Sequence, residues 1–193
     1  MPRTTSLVGM GFLFDTGPNQ TNDGPLVLRG DKALDQSRWV SLLATAGGLG
    51  KAPKAPGTVG TLAALPLVPL FAWGGEYFYM LATAILVVVA IVVAQMYETQ
   101  HGDHDPKEVV IDEVAGFVVA MLWLPLTWQS FVAAFAIFRL LDAVKPFPIS
   151  VVDRKVQGGL GVVADDLVAG ILTNVLLQIA YTKTDWLGQQ LVL

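Results

Sequence analysis

Apolar residues in this chain come in long unbroken runs, separated by short polar clusters. Four stretches contain no Asp, Glu, Lys or Arg: residues 55–75, 77–97, 114–138 and 167–182. A helix needs roughly 20 apolar residues to cross a bilayer core. Tyr77–Ala94, YFYMLATAILVVVAIVVA, is the strongest candidate span, with a fully buried core helix as its alternative. Leu62–Trp73 is shorter and interrupted by Pro66 and Pro69. Leu167–Tyr181 has the length of a tilted or shallow span, and its Asn174 and Gln178 lie four residues apart on one face. Residues 114–138 read either as one span or as two short helices, Val114–Leu124 and Phe131–Leu141, joined by a turn around Pro125, Thr127 and Gln129.

The positions of the charges favour the two-helix reading. If residues 29–54 lie inside, 62–73 cross out and 77–94 cross back. A helical hairpin at 114–138 then returns 139–166 to the inside. Every Lys and Arg except Lys183 falls on that side, as the positive-inside tendency requires. Trp73, Trp123, Trp128 and Trp186 fall near the outer interface, where aromatic belts form. The expected fold is all-α: a compact bundle of mostly apolar helices, membrane-associated or multi-pass, with polar loops converging on one side. Residues 1–35 read as a flexible N-terminal extension, because their apolar run Leu7–Phe14 is too short and glycine-broken for a signal peptide. The helical domain is expected over 36–182, with a C-terminal tail at 183–193.

Composition narrows the chemistry. The chain is 53% hydrophobic and 15% charged, with mean hydropathy +0.57, well below the charge content of an average soluble domain. The absence of cysteine excludes a disulfide framework, a zinc-thiolate site and a thiolate nucleophile. A net charge of −4 and a pI near 5.0 argue against nucleic acid as a partner.

The polar residues gather at 47–61, 101–113, 138–148 and 153–166, and the preferred topology puts all four clusters on one side. Asp112 with Glu113, and Asp165 with Asp166, each form an acidic pair at the start of an apolar run. Such pairs cap and charge-complement helix N-termini. They also place ionisable groups at a membrane boundary, where these tend to be functional. Together with Asp142 they make five carboxylates, which repel one another unless a cation joins them. Mg²⁺, one ion or two, suits such oxygen ligands. Arg139, Asp142 and Lys145 share one helical stripe, either as a salt-bridged face or as a metal ligand flanked by two phosphate-binding cations. Gly57, Thr58, Gly60 and Thr61 precede an apolar helix, either as a plain loop with a Thr cap or as a loop aiming N–H groups and hydroxyls at phosphate. Gly158, Gly159 and Gly161 form a second glycine-rich segment, read as a flexible loop. His101 and His104 read as solvated loop residues, and Asp103-His104-Asp105 lacks the preceding apolar strand of an aspartyl-phosphate motif.

The blocks APGTVGTLAALP (55–66), VIDEVAGF (110–117), FRLLDAVKPFPI (138–149) and DRKVQGGLGVVADDLVAG (153–170) resemble the bacterial phosphatidylglycerophosphatase A family in order and spacing, over roughly residues 38–182. One departure is Ala52-Pro53, where the family often has Ser-Pro. The resemblance implies a Mg²⁺-dependent lipid phosphatase at the bacterial inner membrane, working on the cytoplasmic side. It would convert phosphatidylglycerophosphate to phosphatidylglycerol and phosphate, with a phospholipid as its partner and an oligomeric state that the sequence leaves open. The expected mechanism is attack by a metal-activated water, with Asp112, Glu113, Asp142, Asp165 and Asp166 as ligands. A carboxylate not bound to metal, Asp166 or Glu113, is the expected base, with Lys145 and Arg139 the phosphate-charge stabilisers and Arg154 an additional contact. Asp153 is expected to orient Arg154. Rival classes make distinct demands. A CDP-alcohol phosphotransferase would need a DG-x-x-AR motif, which is absent. A cation carrier or channel would place acids mid-span rather than at span ends.

Overall fold

The computed structural model describes residues 37–102 and 106–188. The expectations for residues 1–35, for Asp103-His104-Asp105 and for the end of the tail fall outside the described residues. All regular elements described are helical. A first helix, α1, covers residues 37–44. It is followed by a 3-10 turn at Leu49–Lys51, then α2 (Pro56–Ala64), α3 (Leu67–Trp73), α4 (Glu76–His101), α5 (Ile111–Ala120), α6 (Trp128–Val144), α7 (Ile149–Lys155) and α8 (Gly158–Lys183).

Local sequence explains the boundaries. Pro56 occupies the first turn of α2, where its missing N–H costs nothing. Pro66 separates α2 from α3. α4 ends at Gly102, whose φ of 74° is the left-handed cap that glycine adopts without strain. Thr127 caps α6 by accepting a hydrogen bond from the Ser130 N–H. The hairpin expected at 114–138 is present, although α6 starts earlier and ends later than the sequence pattern suggested.

The short helix α5 is the hub. Most of its residues are buried, and it packs against α2, α4, α6 and most extensively α8. Phe117 of α5 and Phe138 of α6 are fully buried and meet edge to face, 6.2 Å between centroids. The α5–α8 crossing is close because both helices lack a side chain there. A Cβ on Gly170 would lie 2.3 Å from the Gly116 carbonyl oxygen, and one on Gly116 would lie 2.7 Å from that of Asp166. Small residues let helix backbones approach in this way in membrane bundles. The α4–α8 contact repeats the device. Gly159 donates its N–H to Gln95 Oε1 at 2.9 Å, and a Cβ there would strike the α4 backbone at 2.4 Å. The segment 158–161 is therefore the tightly packed first turn of α8 and not a flexible loop.

Three segments are long and apolar enough to cross a membrane: Pro56–Trp73, Glu76–His101 and Gly158–Lys183. Tyr77, Leu81, Ile85, Val88 and Val92 of α4 are all exposed, an apolar surface that suits lipid contact. The chain is built as a membrane protein. Trp73, Trp123, Trp128 and Trp186, all exposed, sit at helix ends away from Asp112, Glu113, Asp142, Asp165 and Asp166. Every described Lys and Arg except Lys183 belongs to a segment at the acidic end.

Backbone groups within an apolar layer must find internal partners. α5 ends far from the acidic end, and α8 supplies the donors: Asn174 Nδ2 to the Ala120 and Leu122 carbonyls at 3.0 and 2.7 Å, and Gln178 Nε2 to Leu122 at 3.1 Å. Asn174→Leu should lower stability by about 1–3 kcal/mol, the cost of an unsatisfied buried group. A thermal melt in detergent should show the lowered midpoint, and an unchanged one would refute the role.

Candidate active site

Three helices, α5, α6 and α8, bring the acids together. Asp112 and Glu113 lie in the first turn of α5, as the sequence suggested. Asp165 and Asp166 do not begin a helix. They sit about two turns inside α8, so capping does not account for them. The close α5–α8 crossing at Gly116 and Gly170 sets the two pairs side by side. Asp142 comes from the last turn of α6, and Lys145 follows as its left-handed C-cap, with φ of 45°. These six titratable residues, with Arg139, border one cavity of about 270 Å³, whose wall also includes Ala55, Pro56, Gly57, Lys107, Val109 and Val162.

The acids form two overlapping triads. Asp112, Glu113 and Asp166 offer oxygens within 4.8 Å of one another, and so do Asp142, Asp165 and Asp166. Asp166 belongs to both. Arg139 Nη1 donates to Asp142 Oδ2 at 2.5 Å and lies 3.8 Å from Glu113 Oε1. Lys145 Nζ donates to Asp165 Oδ2 at 2.7 Å and to Asp153 Oδ1 at 2.5 Å. Gly57 is buried against this cluster, where a Cβ would fall 2.2 Å from Glu113 Oε1. α2 thus needs glycine at this position to reach the site.

Electrostatics follow from burial and crowding. Burial, then the charges of Glu113 and Asp166, hold the Asp112 carboxyl well above the usual range. Burial likewise raises Glu113, against the opposing pull of Asp112 hydrogen bonding and Arg139. Burial alone would lower the Lys145 ammonium, but its bonds to Asp153 and Asp165 outweigh this and raise it. Lys145 is therefore a fixed positive charge.

The donor set fits a hard divalent cation. All candidate ligands are carboxylate oxygens from a buried, mutually repelling group. Glu113 Oε2 and Asp165 Oδ1 are buried and have no hydrogen-bond partner among the described residues, although buried polar atoms are nearly always satisfied.

Other expected residues are placed differently from the sequence reading. Gly57, Thr58, Gly60 and Thr61 are in α2 itself and not in a loop before it. Thr61 is buried and donates to the Gly57 carbonyl at 2.9 Å, which ties its hydroxyl to the helix. Gly60 gives clearance to Val110, 2.6 Å from where its Cβ would be. Thr58 is half-buried and is not among the cavity-lining residues. Arg154 is exposed on α7, away from the cavity wall. Asp153 pairs with Lys145 rather than orienting Arg154. His101 belongs to the last turn of α4, with Nδ1 3.0 Å from the Tyr97 carbonyl and its ring stacked on Tyr97. Lys107 was not foreseen. It stands in the expected acidic segment, but nothing in its spacing separates it from a solvated lysine.

The sequence profile of the family described as phosphatidylglycerophosphatase A matches residues 42–181. A phosphatidylglycerophosphatase A from Haemophilus influenzae is 36% identical over 98 residues, covering 50% of this chain and 60% of that protein. One from Escherichia coli is 37% identical over 96 residues, covering 49% and 56%. The chain thus aligns with less than two thirds of the length of either. A protein from Bacteroides thetaiotaomicron, provisionally named a phosphatidylinositol-3-phosphatase, is 36% identical over 121 residues, covering 56% of this chain and 75% of its own length. No solved structure matches the chain.

Proposed function

The chain belongs to the phosphatidylglycerophosphatase A family, and from that premise we propose that it is a Mg²⁺-dependent lipid phosphatase. It hydrolyses phosphatidylglycerophosphate to phosphatidylglycerol and inorganic phosphate, a step of phospholipid synthesis. The observation that carries this reading is the pairing of five acids with Arg139 and Lys145 around one cavity at the charged end of an apolar bundle.

Asp112, Glu113, Asp142, Asp165 and Asp166 are the residues that would hold Mg²⁺, with Asp166 shared if two ions bind. Mg²⁺ bound there would draw charge from phosphate oxygens and acidify neighbouring water. The protein's own part is positioning and charge. Arg139 offers a guanidinium fork to non-bridging phosphate oxygens, and Lys145 adds a point charge. The start of α2, which forms part of the cavity wall, turns helix N–H groups toward an anion. Where Asp112, Asp142, Asp165 and Asp166 hold the cation, Glu113 is left as the proposed base, since its unpartnered Oε2 and its burial-raised affinity for protons suit removal of a proton from attacking water. The water oxygen bonds to phosphorus as the bond to the ester oxygen breaks; that oxygen keeps the electron pair and takes a proton, returned by Glu113 or drawn from solvent, so the alcohol departs and the lipid stays in the membrane. The positive-inside tendency supports a site facing the cytoplasm of a bacterial inner membrane.

The test is phosphate release by purified protein in detergent, with phosphatidylglycerophosphate and phosphatidylinositol 3-phosphate as separate substrates. Release from the first is expected, together with complete loss in EDTA and recovery in excess Mg²⁺. Release that survives EDTA would refute the cation reading. Preference for the inositol lipid would refute the headgroup assignment, and no release from either would favour a cation carrier. Acid adds a further expectation. The carboxyls of Asp112 and Glu113 must lose protons to bind a cation, and their raised affinity for protons makes this harder as pH falls. More Mg²⁺ should be needed for half-maximal activity in acid than in alkaline buffer.

A further inference from the structure

Lys145 is gripped by two carboxylates in different surroundings. Asp165 is buried, lines the cavity and has its second oxygen, Oδ1, without a hydrogen-bond partner among the described residues. Asp153 is exposed on α7 and is not part of the cavity wall. α7 is pinned by buried Ile149 and by its packing on α8, so it holds Asp153 at a fixed place beside the site. Lys145 adopts a left-handed backbone, with φ of 45°, which a lysine keeps only where its surroundings enforce it. Its ammonium lies 2.7 Å from Asp165 and 2.5 Å from Asp153, so neither acid has it alone.

An ammonium and a divalent cation compete for the same carboxylate. With Lys145 resting on Asp165 alone, Asp165 would be partly neutralised before any cation arrived. We propose that Asp153 is a positioning residue: it shares the Lys145 ammonium and so leaves Asp165 free to bind a divalent cation. This rests on the reading above that Asp165 is a cation ligand. α7 is then a bracket that draws the lysine charge aside without removing it from the cavity wall, where phosphate can still meet it.

Mn²⁺ binding to the full-length protein in detergent, followed by electron paramagnetic resonance, tests this without any lipid. Asp153→Asn should weaken Mn²⁺ binding by about tenfold, and Asp153→Glu should restore most of it. In a Lys145→Gln background there is no ammonium to share, so adding Asp153→Asn should change binding by less than about twofold. Equal losses in both backgrounds would mean that Asp153 merely supports the fold, and would overturn the proposal. Unchanged binding in Asp153→Asn, or no Mn²⁺ binding by the unaltered protein, would overturn it as well. A protein that passes these tests yet releases no phosphate from phosphatidylglycerophosphate would refute the substrate reading and leave this one standing.

Discussion

Asp166→Asn should lower phosphate release by about three orders of magnitude, or about 4 kcal/mol of transition-state stabilisation. The same change should raise the thermal midpoint of the protein in EDTA. Asp166 is the one residue common to both acidic triads, so its loss damages each. It is also 3% exposed, packed among Asp112, Glu113, Asp142 and Asp165. Without a cation, removing that charge relieves repulsion in a place where water cannot screen it. Asp142→Asn touches one triad and leaves Arg139 a weaker partner, so its loss of activity should be smaller. The checks are kcat in saturating Mg²⁺ and melting curves with and without EDTA. Activity within about tenfold of the unaltered protein, or a lowered midpoint in EDTA, would refute the shared-ligand role.

Gly170→Val should prevent the bundle from forming. A side chain there meets backbone, the Gly116 carbonyl at 2.3 Å, and no rotamer can avoid it. The helices must separate, and the cost should exceed about 4 kcal/mol, the upper range for point substitutions. Because the same crossing sets Asp112 and Glu113 beside Asp165 and Asp166, activity should vanish with the fold. Gly102→Ala is the control: its φ of 74° is strained for alanine but nothing lies within 4 Å, so about 1 kcal/mol is expected. Size-exclusion profiles in detergent distinguish the outcomes. A monodisperse, active Gly170→Val protein would show that the crossing is not required.

Much of the fold was legible because lipid-facing helices need no alternating pattern. The charge-free runs marked α4 and α8 directly, and the positions of Lys and Arg separated α5 from α6. The acids of the site were legible as types, since five carboxylates beside an apolar run have few structural uses. Their surroundings were less so. Asp165 and Asp166 resembled caps because the turns before them, Gly158 to Ala164, are glycine-rich and apolar, which hid the start of α8. The glycines at 57, 60 and 159 resembled loop residues, whereas each permits a close helix contact that only a partner element reveals. Asp153 lies next to Arg154 in sequence, and only the fold takes it to Lys145, eight residues back. Lys107 had no signal at all, because a cavity wall is a property of the assembled chain.

On the proposed function, the separation of the tryptophan end from the lysine- and arginine-rich end would govern how the chain meets its substrate. A diacyl lipid would reach the cavity by lateral diffusion, so encounter would depend on its mole fraction in the leaflet and not on its amount per volume of buffer. Only the leaflet on the cavity's side would supply the reaction. Lipid in the opposite leaflet would be consumed no faster than it crosses the bilayer, and phosphate would be discharged to one compartment alone.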